Sequence, residues 1–211
     1  LLLFVGSINN DTINSLKFEN IKNINVLGLG HKDNQVLLYS IIELNLGNIF
    51  FLDKKEINKI INSNTLIHNY EIFKRYPHSL DINIKRTNFL AKVKDDNKFF
   101  LIGSNGKLSP IKHEDKSNYL PFIFGKPEID KFLEFKIKID DSKFKYKDIN
   151  NLFFFSFDRW DIQLKNNLLI KLLSKNTKKT LDLISDFLLE KNNNNIKIVD
   201  TRIQNQIILD D

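Results

Sequence analysis

The chain has 211 residues and 24.8 kDa, enough for one large domain or two small ones at about 100–200 residues per domain. Its 42% hydrophobic and 27% charged residues exclude a disordered chain, and its 7 Gly and 4 Pro exclude collagen-like or Pro-rich linker architectures. Zero Cys removes thiolate metal sites, disulfides and cysteine nucleophiles, and leaves the redox compartment open. The 32 basic against 26 acidic residues give +6 and a pI near 9.3. The lysines are spread evenly, however, and the wealth of Asn, Lys and Ile points to a coding bias rather than an anion-binding face.

Leu1-Leu2-Leu3-Phe4-Val5 is too short to span a bilayer, which needs about 20 apolar residues, and reads as the end of a spanning helix, a first strand or a frayed terminus. Residues 6–20 are polar and irregular and read as a tether. Asn23-Ile24-Asn25-Val26 alternates as a half-buried strand closed by Gly28 and Gly30. Asp33 or Asn34 is the expected cap of a helix with Val36, Leu37, Ile41 and Leu44 on its buried face and Gly47 at its end. Residues 49–52 form an apolar bridge. Asp53 and Glu56 have capping-box spacing ahead of a second helix that buries Ile57, Ile60 and Ile61. Strands are expected at 70–76 and 80–85, joined through Pro77-His78-Ser79. Strand, helix, helix, strand, strand is a unit that packs two helices on one face of a small sheet.

From Phe89 the pattern turns to strands. Residues 99–102 run into Gly103-Ser104-Asn105-Gly106, a hairpin signal, with 107–111 returning. Residues 121–125 are extended, and Pro127-Glu128 opens a short helix. Residues 151–157 are the most β-like stretch. The alternating 160–164 turns through Lys165-Asn166-Asn167 into 168–173. Thr177 is the expected cap of a helix facing inward with Leu181, Ile184, Phe187 and Leu188. After a low-complexity loop at 192–195, a last strand at 196–202 is prolonged by 206–209.

Catalytic patterns are missing. His31, His68, His78 and His113 lie in separate elements, without the spacing that aims two imidazoles at one metal. Gly28-Leu29-Gly30 lacks the third glycine of a dinucleotide loop and carries Asp33 where a pyrophosphate would lie, so it reads as a plain strand-to-helix turn. No nucleophile elbow or phosphate-binding loop occurs. Asp158-Arg159-Trp160-Asp161 is the richest polar cluster, read as strand charges beside a core Trp. The run Phe153, Phe154, Phe155 and Phe157 projects to both sheet faces without flanking cations, which argues against a nucleic-acid platform.

The order of motifs resembles the FtsQ/DivIB family of bacterial division proteins. Lys74-Arg75-Tyr76-Pro77-His78-Ser79-Leu80-Asp81-Ile82-Asn83-Ile84 is similar to the closing signature of that family's POTRA domain. Asn97-Lys98-Phe99-Phe100-Leu101-Ile102 with Asn105-Gly106-Lys107, then Leu120-Pro121-Phe122-Ile123-Phe124-Gly125, resemble the opening of its β-domain. Arg159-Trp160-Asp161-Ile162-Gln163-Leu164-Lys165-Asn166-Asn167 and Ile198-Val199-Asp200-Thr201-Arg202 are similar to its Trp-Asp hairpin and closing strand. Lys85 to Asn88 depart from the usual acid and Pro, Leu66-Ile67-His68 replaces a Trp-Val, and Asn167 replaces a turn glycine, which Asn's tolerance of positive φ allows.

The resemblance implies an α+β fold: a membrane-proximal remnant and tether at 1–20, a POTRA domain of β-α-α-β-β order at 21–88, and a mostly antiparallel β-domain with flanking helices at 89–211. It implies a non-enzymatic scaffold without cofactor or metal. Such a scaffold is held in the bacterial inner membrane by a single span ending near Leu1 to Val5, with the bulk of the chain periplasmic at the septum. Its partners would be FtsB and FtsL, and it would help control peptidoglycan synthesis. The alternative is a POTRA-bearing outer-membrane transport or assembly protein, which leaves the Trp-Asp hairpin unexplained.

Docking by strand addition is the expected mechanism, because an edge strand offers unpaired N–H and C=O groups. The expected edge comprises Ile196, Ile198, Val199, Asp200, Thr201, Arg202 and Ile203. Arg202 is its main anchor and Arg159 a second; the competing role for Arg202 is an internal ion pair with Asp200 or Asp161.

Overall fold

The computed structural model describes residues 20–111, 119–190, 196–203 and 206–210; the expected membrane remnant at 1–5, the tether up to residue 19, His113 and the 192–195 loop lie outside them. The backbone divides into two units, Leu1–Arg86 and Thr87–Asp211. No helix among the described residues is long and apolar enough to cross a membrane.

In the first unit, β1 (Asn23–Leu27) leads to α1 (His31–Ile42), a 3-10 turn at Ile49–Phe51, α2 (Lys55–Ser63), β2 (Ile67–Arg75) and β3 (Ser79–Arg86). The sheet order is β1-β3-β2, with β1 parallel to β3 and β2 antiparallel. Leu37 and Ile41 of α1 and Ile57 and Ile61 of α2 each stand one helical turn apart, so each pair faces one side. They close a core over Val26, Leu80, Ile82 and Ile84.

Three local expectations are corrected. α1 begins at His31, because Gly30 is its extended N-cap and the Asn34 amide folds back instead, bonding both the N–H and the C=O of Leu29 at 3.0 and 3.1 Å. Val36 is 65% exposed, since one residue's 100° rotation carries it off the face of Leu37. Asp53 accepts from the Lys55 N–H at 3.0 Å and Lys54 is the cap of α2, so the Asp53–Glu56 box is not what opens this helix.

Among the described residues, the second unit holds a mixed sheet of nine strands, ordered β12-β11-β10-β9-β8-β7-β4-β5-β6. Its elements are β4 (Phe89–Asp95), β5 (Lys98–Gly103), β6 (Leu108–Pro110), β7 (Phe122–Phe124), α3 (Ile129–Asp140), β8 (Ile149–Phe155), β9 (Arg159–Leu164), β10 (Leu169–Lys171), α4 (Thr177–Glu190), β11 (Ile198–Asp200) and β12 (Ile208–Asp210). The architecture is α+β. Pairings β4–β7, β7–β8 and β10–β11 are parallel, and the other five are antiparallel.

A parallel step needs a crossover, and α3 and α4 supply it for β7–β8 and β10–β11. β8 and β10 run the same way, each being antiparallel to β9, and both crossovers step in the same direction across the sheet. Right-handed crossovers therefore set both helices on one face. Phe132, Phe135 and Ile139 of α3 and Leu181 and Ile184 of α4 share one core with Trp160, Ile162, Ile170 and Val199. α3 runs 12 residues, longer than the short helix expected after Pro127. Of the Phe run, Phe154 packs against Trp160 at 4.9 Å, while by strand alternation Phe153 and Phe155 stand on the face away from the helices.

Candidate partner-docking edge

The carboxyl-terminal strands place the expected site residues in an arrangement that differs from the sequence expectation. β11 is enclosed: it pairs with β10 in parallel on one side and with β12 antiparallel on the other. Ile196, Ile198, Val199, Asp200, Thr201, Arg202 and Ile203 therefore do not form the sheet edge, and residues 206–209 do not prolong their strand. They lead instead into β12, the returning strand, which is the edge.

The reason is registry. Val199 lies opposite both Ile170 and Leu209, and its side chain, on the helix face, is completely buried. Thr201 is buried too, donating its hydroxyl and its N–H to the Lys171 carbonyl at 2.8 and 2.9 Å. Ile196 packs half-buried on the main core. These three residues build the floor beneath the edge. Ile203 remains 52% exposed.

On the face away from the helices, registry aligns Asp161 of β9, Lys171 of β10, Asp200 of β11 and Ile208 of β12 in one row. Arg202 forks onto the Asp200 carboxylate, with Nε 2.9 Å from Oδ1 and an Nη 2.5 Å from Oδ2, and its own N–H adds a third bond at 3.0 Å. The internal ion pair weighed for Arg202 is formed, with Asp200. Arg202 holds the Asp200 carboxyl below the usual carboxylate range. Arg159 lies 3.6 Å from Asp161 through Nε, and its guanidinium covers the Phe155 ring at 4.1 Å. That Nε is buried without a hydrogen-bond partner.

Asp161 is the buried carboxylate of the row. It accepts a long 3.4 Å bond from the Leu172 N–H. Burial pushes its pKa up, against the opposing pull of Arg159. A carboxyl with a raised folded pKa binds more protons folded than unfolded across the shifted interval, so its contribution to stability falls as pH rises there. The stability difference between the wild type and Asp161→Asn is therefore expected to move against the wild type as pH rises through and above the ordinary carboxylate range. Urea midpoints at several pH values check this; a flat or opposite trend contradicts it.

The two edges of the sheet are unlike. β6 ends in Pro110, which has no N–H to offer. β12 carries no proline, and its Ile208 and Leu209 are 48% and 38% exposed. The sequence signal for this edge was the polar Gln204-Asn205-Gln206 between two apolar runs, a turn composition that separates two strands. Among the described residues no group of three or more His, Asp or Glu is gathered to hold a metal.

Comparison with known proteins finds similarity to cell division proteins. The FtsQ-type POTRA domain model matches residues 19–85, the first unit. The cell division protein DivIB of Clostridium botulinum strain Hall is 30% identical over 140 residues, covering 64% of this chain and 55% of the relative. DivIB of strain Loch Maree is 29% identical over the same length and coverage. The chain thus spans about half the length of these curated relatives. The first unit thus matches an FtsQ-type POTRA domain, and over 140 residues the chain is similar to DivIB cell division proteins.

Proposed function

We propose that this chain is a non-enzymatic scaffold of the bacterial division septum that docks FtsB and FtsL by adding a partner strand to β12 and so helps recruit and control septal peptidoglycan synthesis. The observation that carries the reading is the open edge: among the described residues β12 has a partner strand on one side only, and its exposed Ile208 and Leu209 flank the backbone groups of the other side. The FtsQ-type POTRA match and the similarity to DivIB support the biological setting. Arg202 and Arg159 stand on the row beside the edge as charged anchors, with Ile198 and Ile203 as apolar neighbours; Asp200 orients Arg202, while Ile196, Val199 and Thr201 hold the strand from beneath. A single inner-membrane span with this part of the chain on the periplasmic side completes the reading.

Successive N–H groups of a strand point to opposite sides, so proline at one of two adjacent positions removes a donor from the open side and at the other a donor from the ladder. Of Ile208→Pro and Leu209→Pro, one is expected to lower affinity for the purified FtsB–FtsL pair at least about tenfold while its melting temperature stays within a few degrees of wild type. The other loses stability first. Retention of binding by both variants would refute strand addition at β12.

A further inference from the structure

The face of the second unit's sheet that α3 and α4 leave uncovered carries a band of phenylalanines running across β5, β7 and β8. Phe99, Phe124 and Phe155 are 52%, 45% and 40% exposed. The rings touch in sequence: Phe99 to Phe122 at 6.1 Å, Phe122 to Phe124 at 4.7 Å, and Phe124 stacked on Phe153 at 5.0 Å. Packing among themselves leaves them a continuous apolar surface toward solvent, of a kind monomers seldom expose without use.

The band floors a groove of about 620 Å³ lined by Lys94, Phe99, Phe122, Ile123, Phe124, Gly125 and Lys126, with two lysines and no carboxylate. The Lys94 ammonium sits 6.0 Å from the Phe99 ring centre. Lys126 meets Asp95, just outside the groove, at 4.0 Å and is itself 80% exposed. Two cations thus stand beside an apolar floor.

We infer that this groove docks an acidic amphipathic helix of a partner protein, its apolar stripe on the phenylalanine band and its carboxylates on Lys94 and Lys126. The opposite face of these strands already takes helices by such packing. A lipid surface is engaged by side chains that project as tips, whereas these rings lie against one another. Nucleobase stacking needs free ring faces, and the faces of Phe124 and Phe153 cover each other. The groove is separate from β12, with four strands, β8 to β11, between β7 and that edge.

The test uses the whole chain and a fluorescein-labelled helical peptide of Glu and Leu in amphipathic order, followed by anisotropy. The peptide is expected to bind in low salt, and the same peptide with Lys for Glu is not. Lys94→Glu with Lys126→Glu should weaken binding at least about tenfold with an unchanged melting temperature, and Lys94→Arg with Lys126→Arg should restore it. The β12 proline variant that keeps its fold should bind the peptide as the wild type does, which separates this surface from the edge. No binding, equal binding of the lysine peptide, retention by the charge-reversed variant, or displacement by oligothymidine or phosphatidylglycerol vesicles would each overturn the inference.

Discussion

Trp160→Ala is expected to destabilise the second unit by about 3–5 kcal/mol, the usual cost of removing a large buried aromatic. Trp160 is 5% exposed. Its ring stacks on Phe135 of α3 at 4.6 Å and 5°, and tilts against Phe154 of β8 at 4.9 Å and Phe132 of α3 at 6.3 Å. One side chain therefore ties the crossover helix to two strands, and its loss leaves a void bordered by three rings too constrained to collapse into it. Against a stability of about 5–15 kcal/mol for a typical domain, that is a large share. Urea unfolding followed by far-ultraviolet circular dichroism measures it, since the variant lacks the chain's sole Trp. A loss under about 1 kcal/mol would show that Trp160 is not the centre of this core.

Gly28→Ala is expected to cost the first unit on the order of 3 kcal/mol or more, through backbone rather than packing. Gly28 stands at φ +114°, a region L-residues rarely adopt. A Cβ there would fall 1.8 Å from the Ile84 carbonyl oxygen in β3, and a main-chain atom in a paired strand cannot swing aside. The contrast is Gly30→Ala, two residues on, where the nearest neighbour to a Cβ is the Asp33 carboxylate at 3.8 Å and φ is −65°. That variant should stay within about 0.5 kcal/mol of wild type. Thermal melts of both substitutions check the pair; equal effects would contradict this account of the β1–α1 turn.

The two glycines also mark the limit of sequence reading. Gly28 and Gly30 look alike as strand-ending residues, and only the approach of β3 separates them. What was legible was local. Strand β1, the apolar faces of α2 and α4, and the hairpin around Asn166-Asn167 follow from periodicity and turn chemistry, and Asn167 adopts φ +68°, as its residue type permits. The β4–β5 turn at Asp96-Asn97, both residues at positive φ, carried an equally readable signal that the emphasis on Gly103 to Gly106 obscured.

What was not legible was pairing. Alternation in 160–164 sets Asp161 on the face opposite Trp160 and Ile162, yet its neighbours in β8 and β10 bury it. The run from Ile196 to Leu209 read as one long edge because its apolar positions continue across Asn205. Strand order depends on where β10 lies, and no spacing within 196–209 encodes that. The resemblance to a division family, carried by four motifs in order, pointed to this segment of chain but not to which of its strands is outermost.

The central claim is that β12 is an edge awaiting a strand, and amide hydrogen exchange reads it directly. In the free protein, amides of Ile208–Asp210 that point away from β11 are expected to exchange at near-coil rates. Addition of the FtsB–FtsL pair should slow them at least about tenfold, while the opposite edge at Leu108–Pro110 stays unchanged. Exchange at β12 that is indifferent to the partners, or protection appearing only at another edge, would contradict the account.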